Sequence, residues 1–533
     1  MIRLPGGARG RLLSVAAVAA GLAAVYGAGA VSHPTTLGSR ASLSSTSRAA
    51  VSSAIRACPA PGSAGATAGS VVSAAVPAAA GQGSAVVARL SGAGNATAGA
   101  VVRTITTPNV LNSSAVSAVP VPRVKTAGTK APRSGTASGG TNGGSTNGAS
   151  SGGSTSGALT TAPGQGGVMV QATGAMAQGL EVEQADPGGL VTGQCPAPGT
   201  DFWFVGPGAD TTANIELYLM NTDAQSADVQ VSALTDSGPL LGSSDTGIVV
   251  PPHAMVVQSL GKYLGTSRVM ALHVSTSIGQ VAVAVREAKG ATAAGGWLPA
   301  AQQPAASLVI PGLPGTAGSR QLYIVVPGNG NAQIKVTAVT AKGSYQPTGG
   351  SGIDLPGDSA VAVQLPSLSG VAAAIRVSST VPVTAAVMLP GGATGAPGAI
   401  SAAAAPVSEQ GLAAANPAGP AGSAELVISA PGAAATVRIV TATSKISFSG
   451  QSATTVNVAA GHTIVTPVRP PPGGKSASFA VEVTPASGSG PVYIGRVISS
   501  GGTVRSIMPL TSALTWVSLP ATQDSLTAAG TRH

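Results

Sequence analysis

The chain has 533 residues, of which 44% are hydrophobic but only 2% aromatic and 8% charged. With four Phe, six Tyr and three Trp, any folded domains must build their cores from Val, Ile, Leu and Ala. The formal charge of +10 is uneven, because all seventeen acidic residues lie at or after Glu181 and the first 165 residues hold twelve of the 27 Lys and Arg. That basic region has a single aromatic residue, Tyr26, so the sequence argues against a nucleic-acid-binding protein.

The N-terminus has the pattern of an export signal. Three arginines precede an apolar run from Leu12 to Val31, which is long enough to cross a bilayer as a helix with its basic flank in the cytoplasm. Small residues before Val31 also suit signal-peptidase cleavage. Residues 1–31 are therefore predicted to be a signal peptide or a signal anchor. Two locations stay open: a single-pass cell-membrane protein with its C-terminal part outside the cytoplasm, or a protein secreted after cleavage near Ala30.

The next region predicts a degenerate β-unit at residues 50–195. Short apolar runs of strand character begin at Ser70, Ser84 and Ala100, and others follow later in the region. A Gly/Ser/Thr tract at 126–167, which has almost nothing to bury, separates the earlier runs from the later ones. This tract is predicted to be a disordered insertion.

The two cysteines, Cys58 and Cys195, frame this unit. Both stand in the tetrapeptide Cys-Pro-Ala-Pro. In an exported chain an even pair of cysteines points to a disulfide bond. A metal site is a weaker alternative, because no His or acidic residue accompanies either cysteine to complete a four-ligand shell, and a lone nucleophilic cysteine is weaker still.

Three later stretches read as copies of one another. They begin at Leu217, Leu322 and Leu426, which are 105 and 104 residues apart. Each copy alternates apolar and polar residues with period two, as strands with one buried face do. About seven short strands in roughly 100 residues match an immunoglobulin-like or fibronectin-like sandwich. A three-bladed propeller is the alternative interpretation, but propellers usually have four to eight blades.

The fold class predicted is therefore all-β, with tandem immunoglobulin/fibronectin-like β-sandwich repeats preceded by one N-terminal hydrophobic helix. The turn-like segments 250–254, 355–359 and 459–463 lie between alternating runs and are predicted to be hairpin turns. The predicted boundaries are 196–300, 301–390 and 424–520 for the three sandwich repeats, 391–423 for an Ala/Pro/Gly linker and 521–533 for a disordered tail.

The histidines and carboxylates give little support for catalysis. His273 lies in the middle of a strand, but its slot holds Arg376 in the second copy and Glu482 in the third. A slot that accepts three such different residues is most simply the solvent face of a strand. No catalytic, cofactor-binding or metal-binding residue is predicted, no cofactor is implied, and the protein is not expected to be an enzyme.

Two tryptophans follow the last strand of a copy. Trp297 and Trp516 are placed where a large side chain could cover the open end of a sandwich, although the second copy has no equivalent. This capping role is a hypothesis.

The segment Thr-Asp-Phe-Trp-Phe-Val-Gly-Pro-Gly at 200–208, with the alternating residues before it and the Cys-Pro-Ala-Pro element, resembles an uncharacterised family of exported actinobacterial proteins. The resemblance extends over roughly residues 50–520. It implies a single N-terminal membrane segment, a β-rich exterior and no assigned activity, and it supplies no catalytic residues. The long Gly/Ser tract departs from the compact pattern of the family.

The sequence thus favours a non-catalytic cell-envelope scaffold or protein-interaction protein outside the cytoplasm. The alternative is a polysaccharide-binding accessory factor for cell wall or capsule assembly, which is weakened by the scarcity of aromatic residues. The expected partners are envelope proteins or anionic and glycan wall polymers, with the membrane reached through the N-terminal helix. An enzyme ranks third, and an activity that depends on His273 would reverse this order.

Overall fold

A computed structural model gives the architecture of the chain, which is built from β-strands. A single 3₁₀ turn, Leu368–Gly370, is the one helical element among the described residues. Those residues are 47–59, 71–77, 81–92, 101–107, 117–120, 167–186, 189–208, 214–241, 247–261, 263–264, 267–288, 296–316, 318–365, 368–389, 391, 398–420, 422–443, 446–473 and 478–519.

Ten strands precede residue 200. They are β1 (Ser47–Ala50), β2 (Ser53–Cys58), β3 (Val71–Ala75), β4 (Gly83–Arg89), β5 (Ser91–Gly92), β6 (Val101–Thr107), β7 (Ser117–Pro120), β8 (Val168–Gly174), β9 (Glu181–Ala185) and β10 (Thr192–Gln194). Strands β2–β4 and β6–β10 form two four-stranded sheets, ordered β10-β9-β3-β7 and β2-β8-β4-β6. These eight strands are called the N-terminal group below. Its core lies between the sheets and includes Val72, Val87, Val170 and Val182.

Each of the three repeating stretches is extended from here on to include every strand that joins its sheets. The first stretch, from Asp201 to Leu298, comprises nine strands. They are β11 (Asp201–Pro207), β12 (Asn214–Met220), β13 (Ala227–Thr235), β14 (Gly238–Leu241), β15 (Ile248–Val250), β16 (Ala254–Ser259), β17 (Val269–Ile278), β18 (Ala282–Ala288) and β19 (Gly296–Leu298). One sheet has the order β11-β17-β13-β14, with β15 also paired to β13. The other has the order β19-β18-β12-β16-β5, so a strand from the N-terminal region is added at its edge.

The second stretch comprises eight strands. They are β20 (Ala305–Leu313), β21 (Arg320–Val326), β22 (Ala332–Thr340), β23 (Gly343–Tyr345), β24 (Ile353–Leu355), β25 (Ser359–Leu365), β26 (Ala373–Met388) and β27 (Ile400–Ala402). The long strand β26 belongs to both faces. Its first part pairs with β20 and β22, and its last residues pair with β21 and β27.

The third stretch comprises β28 (Gly411–Pro417), β29 (Ser423–Ala430), β30 (Ala435–Ala442), β31 (Thr454–Val458), β32 (His462–Val468), β33 (Ser478–Pro485), β34 (Tyr493–Ser500) and β35 (Thr503–Leu510). Its sheets have the orders β28-β33-β30-β31 and β35-β34-β29-β32. Strands in corresponding positions of the first two stretches pair in the same order. The last strand, β36 (Trp516–Leu519), pairs with β1 in a two-stranded sheet.

The period-two alternation is visible in burial. Along β13 the residues alternate between buried and half-buried over the whole strand, with Val229, Val231 and Ala233 on the buried face. Strand β22 repeats this pattern with Ile334 and Val336. The all-β class follows directly from this alternation, because a strand with one buried face places apolar and polar residues in turn along the sequence.

The three turn-like segments are not hairpin turns. The strands on either side of each segment belong to different sheets: β15 pairs with β13, whereas β16 pairs with β12. The hairpin prediction was wrong because alternation looks the same whether two flanking strands pair or face each other. Each segment instead carries the chain from one sheet to the other. At corresponding positions His253, Asp358 and Gly461 have positive φ values of 50°, 50° and 74°.

The sheets of residues 50–516 pack in a closed sequence. Apolar side chains of the N-terminal group, such as Met169 in β8, pack with Met255 of the first stretch. The first stretch shares a core with Tyr323 and neighbouring residues of the second. The second stretch shares a core with Val427 of the third stretch. The third stretch in turn packs against Ala75 of the N-terminal group, so the order returns to its beginning.

The strands at the inner sheet edges follow the same closed order. Strand β10 contacts β19, β19 contacts β27, β27 contacts β35, and β35 contacts β10. Residues 50–516 accordingly form one compact unit. Among the described residues, 47–49 and 517–519 belong to a second unit.

Two glycines allow a close approach between the second and third stretches. Gly312 in β20 and Gly495 in β34 lie backbone to backbone, and a Cβ atom on Gly495 would overlap the backbone of Gly312. A short distance of this kind excludes any side chain at Gly495. The small residues that dominate the composition therefore let whole sheets approach closely.

The predicted linker at 391–423 contains ordered strands. Strands β27 and β28 lie within it, and Ala403, Ala413 and Ala414 are fully buried. The described part of this interval is thus not an open connector. Its Ala and Pro content suggested a linker, but alanine methyl groups are small enough to be buried between closely packed sheets.

Several predicted features lie outside the described residues. These are the apolar run from Leu12 to Val31, the tail at 521–533 and the Gly/Ser tract at 126–167 except for its last residue. Within the described residues no helix is long and apolar enough to cross a membrane. The capping hypothesis fails for Trp516, which is 48% exposed.

Candidate functional site

The segment at 200–208 forms strand β11, and its tryptophan faces a histidine on the neighbouring strand. Trp203 lies directly opposite His273 in the antiparallel ladder between β11 and β17. Their rings stack with centroids 4.3 Å apart and an interplanar angle of 11°. Trp203 is only 7% exposed, and the stacked histidine ring is one of the groups that shield it from water.

An aspartate orients this histidine. Oδ1 of Asp201 lies 3.0 Å from Nε2 of His273, and the two side chains are 48% and 30% exposed. Gln303 donates a hydrogen bond to the backbone carbonyl of Asp201 at 3.3 Å. The arrangement can hold a proton between a carboxylate and an imidazole at the surface. In the described part of the chain, however, no hydroxyl or thiol nucleophile is hydrogen-bonded to this ring.

The equivalent positions differ in environment. Arg376 is exposed, as predicted for a solvent-facing slot. Glu482 is only 8% exposed, and burial raises the pKa of its carboxyl. The solvent-face interpretation therefore fails in the third stretch, because the N-terminal group covers that sheet.

A second polar cluster is fully buried where the N-terminal group meets the third stretch. Nη2 of Arg496 on β34 lies 3.0 Å from Oε2 of Glu183 on β9, and both side chains are 0% exposed. The backbone amide of Ala414 donates to Oε1 of Glu183 at 2.5 Å. Arg496 also donates to the carbonyl of Ala415 and to the hydroxyl of Thr192, each at 2.6 Å. These contacts join three elements that are far apart in sequence.

A neighbouring carboxyl group, Glu181, is buried beside this cluster. Gln194 donates to its Oε1 at 2.7 Å, and Nε of Arg56 lies 3.9 Å from its Oε2. Burial raises the pKa of Glu181 to about 7, an effect that Arg56 and Gln194 oppose and that the nearby charge of Glu183 reinforces. Burial also raises the pKa of Glu183, opposed chiefly by Arg496. The closing interface therefore contains two carboxyl groups whose pKa values burial raises.

A third cluster lies where the N-terminal group meets the first stretch. The hydroxyl of Tyr218 donates to Glu216 at 2.5 Å, and Arg286 lies 3.8 Å from the same carboxylate. Trp297 packs against Tyr218 with ring centroids 5.6 Å apart, and it closely contacts Gly193 of β10. Burial raises the pKa of Tyr218. Trp297 therefore fills an interface between sheets and does not cover an open end.

The structure joins Cys58 to Cys195 by a disulfide bond. The two residues are 137 positions apart, and both are fully buried in the core of the N-terminal group. Cys195 follows β10 and its amide donates to the carbonyl of Val182 at 2.8 Å. The bond therefore fixes the end of the N-terminal group close to the Glu183–Arg496 interface.

The described residues offer no group of three or more His, Cys, Asp or Glu side chains that could hold a metal ion. The buried Glu183, Arg496 and Glu181 were missed by sequence reasoning, which treated polar residues in alternating strands as solvent-facing. The sequence carries no clear signal for the two glutamates, because they alternate with Leu180 and Val182 and are followed by Gln184, as on a strand with one face in water.

These features define an all-β protein of several face-packed sheets, with buried polar interfaces between them. The chain belongs to a family of unknown function, DUF5719, whose family pattern matches residues 146–469, more than half of the sequence. No curated protein matches the chain.

Proposed function

We propose that this protein is a non-catalytic scaffold of the cell envelope that holds protein partners outside the cytoplasm. The observation that carries the proposal is the closure of residues 50–516, in which the N-terminal group packs against both the first and the third stretch. A body held together at every junction changes shape little and suits the presentation of fixed surfaces. The buried Glu183–Arg496 pair fits this role, because a fully desolvated pair favours one packing arrangement.

The location rests on two further observations. A buried disulfide persists in oxidising compartments and is rare in the cytosol. The apolar run from Leu12 to Val31 supplies a route for export, either as an anchor or as a cleaved signal. The protein is thus proposed to act at the outer face of the membrane or beyond it.

The scaffold is proposed to consist of tandem repeats of one immunoglobulin-like or fibronectin-like sandwich. The recurring strand order supports this assignment. Each stretch pairs two sheets of about four strands, close to the size of such domains. The degenerate unit at 50–195 would then be a fourth member that closes the assembly.

The first experiment determines location. Intact cells are first exposed to a mild denaturant that opens the buried bond. A membrane-impermeant reductant is then added, followed by a membrane-impermeant thiol reagent. Labelling of Cys58 and Cys195 in intact cells supports a protein outside the cytoplasm. Labelling only after lysis contradicts it.

The second experiment separates a scaffold from an enzyme. A strain that lacks the protein is complemented with the wild type, with Asp201→Asn or with His273→Ala, and envelope integrity is measured by detergent sensitivity. Since a scaffold does not need the surface acid–base pair, both variants should complement fully. A folded His273→Ala protein that fails to complement would overturn the non-catalytic proposal.

A further inference from the structure

The third stretch has an open groove of about 470 Å³ at one end of a sheet. It lies between the beginning of β30, the end of β31 and the bend that joins β33 to β34. The hydroxyl of Thr436 donates to Oδ1 of Asn457 at 2.8 Å, and the amide of Thr436 donates to the hydroxyl of Ser489 at 3.0 Å. The polar groups of the groove are therefore held in place before any ligand arrives.

The second stretch has a similar groove of about 490 Å³. It is lined by the beginning of β22, by β24 and by the central part of β26. The amide of Gln333 donates to the hydroxyl of Thr380 at 3.0 Å. Asp354 and Lys335 contribute one negative and one positive side chain, and both are exposed.

The two grooves occupy corresponding places. Gln333 lies opposite Asp354 across the β22–β24 ladder, and Thr436 lies opposite Asn457 across the β30–β31 ladder. In both, the amide of the first residue donates a hydrogen bond to a hydroxyl group on the path from one sheet to the other, which is Thr380 within β26 or Ser489 in the bend between β33 and β34. Their recurrence some hundred residues apart means that one body presents the same kind of groove twice.

The lining chemistry selects among ligands. The third-stretch groove has no charged side chain, and the two charges of the second-stretch groove are opposite in sign. The large apolar side chain that lines each groove, Ile334 in the second stretch and Val458 in the third, is buried. Apart from the opposite charges of Lys335 and Asp354, the accessible lining therefore consists of hydroxyl, amide and methyl groups. An uncharged ligand rich in hydroxyl groups matches this surface, whereas an anionic polymer or an apolar peptide does not.

We propose that these two grooves bind a neutral, unbranched polysaccharide. Asp354 would accept hydrogen bonds from sugar hydroxyl groups, and the Asn457 amide and the neighbouring hydroxyl groups would donate hydrogen bonds to sugar oxygens, which together would orient the sugar rings. Without an exposed aromatic ring in either groove, each single site is weak. A long polymer gains affinity by occupying both grooves of one rigid body, because the second binding event is intramolecular. The proposal adds a ligand to the scaffold and stands independently of it.

The first stretch differs at the corresponding place. There Asp228 lies opposite Val249, and also opposite Ile278 on β17. Val249 and Ile278 are 62% and 60% exposed. This surface is apolar and is not included in the proposed site.

The test is native affinity electrophoresis of the purified full chain in gels that contain linear glucan or linear mannan. Retardation by at least one of these neutral polymers is expected, and the double variant Asp354→Ala/Asn457→Ala should lower the affinity by about tenfold or more through loss of both sites. Cellohexaose and mannohexaose, which are too short to benefit from two sites, should compete only weakly.

A second variant blocks a groove without removing its hydrogen bonds. Ser487 is exposed in the bend of the third-stretch groove, so Ser487→Leu places apolar bulk in the groove without adding an aromatic ring and should weaken retardation by the polymer severalfold. The matched control is Asn329→Ala, an exposed residue outside both grooves that should leave retardation unchanged. Thermal unfolding of every variant verifies that the fold is intact.

The proposal is overturned if neither neutral polymer retards the protein, or if retardation is the same in wild type, the double variant and Ser487→Leu. Retardation by polygalacturonate alone would replace it with an anionic ligand. Tight binding of an extended peptide without glycan binding would assign the grooves to a protein partner. The complementation experiment above has its own readout, so failure here leaves the scaffold proposal to be judged separately.

Discussion

Glu183 and Arg496 form a fully buried ion pair across 313 positions of the sequence, with 3.0 Å between Oε2 and Nη2. Removing one partner of such a pair leaves a buried group uncompensated, which costs about 3–5 kcal/mol. We therefore expect Arg496→Met to lower the free energy of unfolding by that amount, measured by urea denaturation. Arg469→Met, at an exposed position, is the control and should change stability by less than about 0.5 kcal/mol. Equal effects of the two variants would remove the closing role of the pair.

The pH dependence of stability should reveal Glu181. Its pKa is about 7 in the folded chain, against an ordinary value of 4.5, so the folded form retains a proton that the unfolded form loses. The contribution to stability is fully present below pH 4.5 and is lost as pH rises to 7, by about 3 kcal/mol if the whole shift is realised. In Glu181→Gln this part of the pH dependence should be absent. The comparison is made by denaturation between pH 4.5 and 8, with the exposed Asp354→Asn as control; parallel curves for wild type and Glu181→Gln would contradict the prediction.

The backbone contact at Gly495 should tolerate no side chain. A Cβ atom there meets the backbone of Gly312, which cannot move as a flexible side chain could. We expect Gly495→Ala to destabilise by about 1–3 kcal/mol through overpacking. Gly247→Ala is the matched control, because a Cβ at that position has open space around it. Calorimetry should show a lower melting temperature only for Gly495→Ala, and unchanged melting would mean that the two stretches can separate without cost.

The Cys58–Cys195 bond should resist reduction in the folded state, and it should stabilise the folded state against unfolding. Both residues are fully buried, so a reductant needs partial unfolding to reach them. Closing a loop of 137 residues stabilises by up to about 5 kcal/mol when the effect is attributed to the entropy of the unfolded chain. Cys58→Ala/Cys195→Ala should therefore unfold at a clearly lower urea concentration than the wild type. Rapid reduction under native conditions, or identical unfolding of the variant, would contradict this expectation.

The strands were predictable from the sequence because burial of one face imposes period-two alternation whatever the partner strand is. The cysteine pairing was accessible for a similar reason, since Cys58 and Cys195 are the two cysteines of the chain. The closed packing was not accessible. It depends on pairs such as Glu183 with Arg496, whose polar character looks the same in sequence whether the side chain faces water or another sheet.

The connections between sheets were also beyond the sequence. The segment that contains Asp358 has the composition of a hairpin turn, and its positive φ suits one, yet it links strands of opposite sheets. Composition reports the local backbone conformation but not the direction in which the next strand departs. For the candidate surface at Trp203, the sequence indicated a distinctive segment but not the stacking of His273 on the indole, which requires the register of two strands 70 residues apart.

The short strand β5 limits strand pairing between copies of this protein. It runs parallel to β16, with Ser91 beside Ala254 and Gly92 beside Met255, and so occupies the hydrogen-bonding groups at that margin of the first stretch. Exposed strand margins are the usual template for unwanted strand addition between molecules. By placing two of its own residues there, the chain blocks one route to fibrous aggregation, a safeguard suited to a protein built almost wholly from β-strands.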